Sequence, residues 1–213
     1  MMHRQAGVVN AHRTRSGGEM VATGTRESAA AARIRAAAIE SFAEVGYGGT
    51  STRQIAKRLN LSPAAMYPHY RSKEELLFAI ALEGHRGLLE ELRSVDDPTA
   101  DGVVRLRTVI AAFARWQAEQ HALAKVVQYE LHGLTRDHYR AVTAIRRQTT
   151  GLLAKIVHAG VEAGEFRVDD PADVVLALSS LCVDVCRWFP SRTHRDPAAL
   201  GAVYAALAER MVT

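Results

Sequence analysis

At 213 residues, 48% of them hydrophobic and two of them cysteine, the chain can fill one large core or a small unit followed by a medium one. Its formal charge of +4 is unevenly placed: residues 1–75 carry 11 Lys and Arg against 6 Asp and Glu, while residues 76–213 carry 16 against 17. A polyanionic partner therefore suits the front third alone, with a merely solvated basic face as the plain alternative. No apolar run approaches the ~20 residues of a membrane span. The N-terminus lacks the apolar stretch of a secretory signal, so a cytoplasmic protein with no membrane association is expected. Abundant Ala and Leu, with glycines at expected helix ends, make the fold class all-α.

Residues 1–25 contain Gly17-Gly18 and no periodicity, and read as a disordered arm. Arg4, Arg13, Arg15 and Arg26 spread along it. Either this is an untidy terminus with a later start at Met20, or the arm follows a nucleic-acid backbone or enters a minor groove. From Glu27 to Val45 a helix is expected, because Ile34, Ala38, Phe42 and Val45 form one apolar stripe and Gly46 ends it. Gly48-Gly49 is not a phosphate loop: no Gly-Lys-Ser/Thr follows and no strand precedes.

The stretch from Thr50 to Leu76 organises the rest. Ser51 and Gln54 have the spacing of a capping box, opening a helix at Thr52. Ile55, Ala56 and Leu59 line its apolar face, and Arg53, Lys57 and Arg58 point outward. Asn60 suits the left-handed residue that stops such a helix, with Leu61 under the turn. Ser62-Pro63 restarts a helix, supplying a hydroxyl for orphan amides and a ring preset at helical φ. Pro68 keeps this second helix short, and Ser72 with Glu75 opens the next one. Helix, four-residue turn and short helix is the arrangement that sets a recognition helix into a DNA major groove.

The residues carry more than the arrangement. Phe42, Gly46-Tyr47, Thr50, Ile55-Ala56, Leu61-Ser62, Met66-Tyr67, His69-Tyr70 and Ser72-Lys73-Glu74 closely resemble the DNA-binding domain of the TetR family of bacterial repressors, over about Arg33 to Leu77. The resemblance implies a three-helix helix-turn-helix domain at 26–76 and a C-terminal helical domain for effector binding and dimerisation at 77–213. Thr50, Thr52, Tyr67, His69 and Lys73 can donate to phosphates, and family resemblance points the same way for the last three. Ser62, Pro63, Ala64 and Ala65 sit at the recognition turn, where Pro63 and the alanines offer only packing against thymine methyls. The base-specific hydrogen bond is therefore expected from Arg53, reaching a guanine. Pro68 departs from the polar or aromatic residue of relatives, so no contact carries over there. Tyr70 is expected in the core.

Beyond Leu76 a fourth helix is expected to run to about Arg93, broken by Asp96-Asp97-Pro98. Further helices are expected over Val103–Gln120, Lys125–Leu131 and Arg136–Ala163. Asp170-Pro171 and Asp196-Pro197 then open two closing helices, reaching about Phe189 and Met211. The first of these is apolar around most of its circumference and needs partners on several sides. Burial within one subunit would satisfy it; the family resemblance implies instead that both closing helices pair with their copies in a homodimer.

Polar residues within apolar stretches mark a candidate effector site: Trp116, Tyr129, Glu130, His132, Tyr139, Arg146, Asp184 and Trp188. For each, a satisfied core group or a solvated face is the plain alternative, and Asp184 and Arg187 are spaced to pair. The resemblance implies a small apolar or amphipathic effector, and Lys125 to Arg147 faintly resembles relatives that sense acyl-CoA thioesters. An enzyme is the competing class, and a helix-turn-helix scaffold that binds no DNA is a third. No H-E-x-x-H, nucleophile elbow or nucleotide fingerprint occurs, so no catalytic residue, metal or cofactor is expected. Cys182 and Cys186, four apart, lack a second ligand pair and read as buried free thiols.

Overall fold

A computed structural model of the protein describes residues 28–213; the expected arm at 1–25 lies outside them. Among the described residues there are eight α-helices and no strand. They are α1 (Ala29–Gly49), α2 (Thr52–Arg58), α3 (Lys73–Val95), α4 (Gly102–Glu119), α5 (His121–Tyr129), α6 (Arg136–Glu162), α7 (Pro171–Trp188) and α8 (Pro197–Val212). Short 3-10 turns at Pro63–Met66 and Leu131–Gly133 complete the order.

Most boundaries follow the caps written in the sequence. Ser51 and Gln54 form the full reciprocal box, the Ser51 amide donating to Gln54 Oε1 at 2.7 Å. Asp170 and Asp196 each accept an amide at the N-terminus of α7 and α8, one residue before a proline. Asn60 adopts φ +55°, the left-handed turn that ends α2. The Ser72 box is only half made: Ser72 accepts from the Glu75 amide, but the Glu75 carboxylate takes the Arg71 amide instead.

Gly46 breaks the first helix where expected (φ +80°, ψ 161°), and one further helical turn follows it to Gly49. The helix expected at Lys125 starts at His121, because Leu123 and Ala124 are buried and extend its apolar face backwards. The front core also reaches past residue 76. Ile34, Phe42, Ile55, Leu76, Leu77 and Ile80 share one apolar cluster with Leu123, Val126 and Val127 of α5. A second, larger cluster joins α3, α4, α6, α7 and α8 around Leu92, Leu106, Ile110, Leu153, Ile156 and Leu178. Helix α3 thus begins in one core and ends in the other.

Helix α8 lies along α4, and Gly201 sets how closely. A methyl group there would meet the Ala111 carbonyl oxygen at 2.7 Å. Outward from this packing, α7 exposes Leu176 and Leu181, and α8 exposes Val203 and Leu207.

Candidate functional site

The helix-turn-helix is assembled on a small core. Ile55 and Ala56 are fully buried, Met66 seals the 3-10 turn from beneath, and Tyr70 is buried as expected, its hydroxyl accepting from Arg35 at 3.2 Å. What faces outward is Arg53, Gln54 and Lys57 on α2, then Ser62, Ala64, Tyr67 and Pro68 around the recognition turn. Thr52, Pro63, Ala65 and His69 are half-buried beside them. The Ser62 hydroxyl is occupied as a cap, accepting from the Ala65 amide, and His69 lies 3.3 Å from the Ser28 hydroxyl at the start of α1. Arg58 is outward as expected, and pairs on the surface with Glu44 and Glu40 of α1.

Two of the expected phosphate donors sit elsewhere. Thr50 is only 3% exposed, and its hydroxyl donates to the Ser41 and Gly46 carbonyls, so it fastens the end of α1 rather than reaching outward. Lys73 is half-buried; its ammonium donates to the Tyr47 and Thr50 carbonyls, both at 2.8 Å, and lies over the Tyr47 ring. The reason is the Gly46 kink. It releases backbone groups at the end of α1, which must find partners. Lys73 takes two of the carbonyls, Lys125 of α5 takes the Ala43 carbonyl at 2.8 Å, and the Glu130 carboxylate accepts from the Tyr47 amide at 2.9 Å. Cations at this end also suit the helix dipole.

Behind this clamp lies a cavity of about 280 Å³ between α3, α4, α5, α6 and α7. Its walls include Leu88, Phe113, Trp116 and Val127, and its polar groups come from His85, Gln117, Arg146, Thr149 and Ser179. His85 is 7% exposed, and its Nε2 and the Ser179 hydroxyl are buried without a partner. Burial, and after it the charge of Arg146, pushes the His85 pKa down to about 4 against a hydrogen bond to the Val127 backbone.

Of the expected effector residues, the structure places Trp116 and Arg146 on this cavity. The others stand apart from it. Tyr129, His132 and Tyr139 are exposed at the ends of α5 and α6. Asp184 pairs with Arg187 at 2.7 and 2.8 Å, and Trp188 packs on Phe189 and His194. Glu130 clamps α1 instead of facing the cavity. Sequence reasoning missed His85, Thr149 and Ser179 as site residues. The usable signal was a polar residue on an apolar stripe, as with His85 among Ile80, Ala81, Gly84 and Leu88. Cys182 and Cys186 are free and buried, and burial pushes both thiols up, Cys186 to about 11. No cluster of three or more metal-ligating side chains occurs among the described residues, and no described helix is long and apolar enough to cross a membrane.

A helix-turn-helix on a basic front, joined to a helical rear that holds a cavity, defines a class of two-part helical DNA-binding proteins. Comparison with known proteins is specific: the family described as "Bacterial regulatory proteins, tetR family" matches residues 34–80, and "Tetracyclin repressor-like, C-terminal domain" matches residues 99–212. The chain belongs to the TetR family, whose members are transcriptional regulators and not enzymes. A tetR-family regulatory protein from Rhodococcus RHA1 is 49% identical, with TM-score 0.84 over 87% of this chain and 97% of that one. The transcriptional repressor KstR2 of Mycobacterium tuberculosis is 29% identical over 94% of this chain and 90% of its own length. The fold is also that of AibR, solved with isovaleryl coenzyme A and operator DNA (23% identity, TM-score 0.71, 82% of this chain and 97% of that one).

Proposed function

We propose that the protein is a homodimeric repressor that grips a pseudo-palindromic operator and releases it when a small apolar or amphipathic effector enters the cavity. One observation carries the reading: α5 serves both sites. Ala124, Val127 and Gln128 line the cavity, while Lys125 on the same helix and Glu130 at its end hold the kinked end of α1. A shift of α5 by an occupant would move the helix-turn-helix that α1 supports. The dimer reading is supported by Leu176, Leu181, Val203 and Leu207, an outward apolar face on α7 and α8. A two-fold pair presents its recognition turns to grooves about one helical turn of DNA apart.

Arg53 and the exposed recognition turn are the contacts assigned to base edges; Thr52, Tyr67 and His69 are assigned to phosphates. An acyl-CoA thioester is one amphiphile of the required kind, and AibR binds one; likeness at 23% identity extends to fold alone. An effector moves the balance only by its preference for the released state, and swinging 1:99 to 99:1 takes ~5.5 kcal/mol. The test combines two steps: a thermal-shift screen of amphiphiles, then a mobility shift with each hit on the fragment upstream of the protein's own gene. Ligands that raise the melting temperature are expected to weaken DNA binding. Stabilising ligands that leave DNA binding untouched would defeat the reading.

A further inference from the structure

The cavity has one feature that narrows its occupant further. Val127 lies in the last turn of α5, where carbonyls lack intrahelical partners. The hydrogen bond between His85 and the Val127 backbone favours the protonated ring, so the ring donates and the carbonyl accepts. Since Nε2 is the atom without a partner, that donor is Nδ1, and the neutral tautomer leaves a bare lone pair on Nε2. A buried acceptor left empty is costly, and it is matched by a donor, not by another acceptor. The Ser179 hydroxyl, also buried without a partner, and the Arg146 guanidinium can both donate to an oxygen placed among the three.

We propose that the cavity takes an apolar ligand bearing a hydroxyl group, which donates to His85 Nε2 and accepts from Ser179 or Arg146. This rests on reading the cavity as the effector site. The volume, about 280 Å³, is roughly twice the ~150 Å³ that accepts benzene, so the buried part holds roughly a dozen non-hydrogen atoms. A thioester, ester or ether oxygen only accepts, and at His85 it would set lone pair against lone pair. An acyl chain with a hydroxyl on it satisfies both the apolar walls and the ring.

The test uses two isomers that differ only in the donor, 1-decanol and 1-methoxynonane. Each is titrated into the purified full-length protein with tryptophan fluorescence as readout, Trp116 lying on the cavity wall. The protein should bind the alcohol about tenfold more tightly than the ether. In His85→Phe, which keeps the ring but removes the acceptor, the preference should fall to within about twofold. Equal affinity for the two isomers, no binding of either, or a preference that survives in His85→Phe would overturn the proposal. The isomer comparison on the unaltered protein stands even if His85→Phe does not fold. Ligand-free protein is assayed in parallel on the fragment upstream of its gene. DNA binding without an alcohol preference defeats this inference alone; an alcohol preference without DNA binding defeats the repressor reading alone.

Discussion

The recognition turn and the cavity are made from opposite materials. The turn is poor in chemistry: Pro63, Ala64 and Ala65 offer no side-chain hydrogen bond, and Met66 only seals the core beneath. The cavity holds more polar groups than it has partners for, with His85 Nε2 and Ser179 Oγ both unmet. The turn thus presents mainly shape and backbone, while the cavity presents unmet hydrogen-bonding capacity. Between them, the kinked end of α1 is held by side chains from α3 and by Lys125 and Glu130 at α5 and its end.

The largest expected effect comes from breaking the front alone. Ile55 is fully buried under the helix-turn-helix, and Ile55→Ala should cost about 2–5 kcal/mol in denaturant unfolding. DNA binding should fall with it, while 1-decanol still binds at the rear. If both functions vanish together, the two regions are one cooperative unit.

His85 supplies the next. Its folded pKa, about 4, lies below the ordinary value near 6.5, so the unfolded chain binds the proton more readily between those values. Stability is full above pH ~6.5 and is lost as pH falls toward 4, by about 2 kcal/mol at pH 5. Urea midpoints at pH 7 and pH 5 measure this, and His85→Phe should remove the corresponding part of the slope. A third substitution sharpens the DNA end. Arg53→Ala should lose about 1–3 kcal/mol of discrimination between cognate and scrambled operators. An equal loss on both sequences would make Arg53 a phosphate contact. The smallest effect belongs to Asp184→Asn, on an exposed ion pair away from the cavity, which should alter stability by no more than about 0.5 kcal/mol and leave ligand affinity unchanged.

Local features were legible in the sequence. Caps at Ser51, Asp170 and Asp196 and the left-handed Asn60 involve partners within a few residues, so their pattern appears in the string itself. The family resemblance likewise rested on a contiguous stretch. What escaped was decided by partners far along the chain. Thr50 turns inward because the Gly46 kink leaves carbonyls to satisfy, and Glu130 is claimed by an amide 83 residues away. Tyr129, His132 and Tyr139 look like directing groups in an apolar stretch, yet helix rotation turns them to solvent. His85, read as one polar residue in a helix, becomes a site only once α5, α6 and α7 close around it.

The proposed repressor requires two copies acting together on neighbouring grooves. The direct measurement is a binding titration across a salt series, using the upstream duplex and a version with one half-site scrambled, with complex mass determined by sedimentation. Two chains per duplex are predicted, with affinity falling steeply as salt rises and falling again when one half-site is lost. A one-to-one complex indifferent to the second half-site, or no duplex binding even in dilute buffer, would contradict the account.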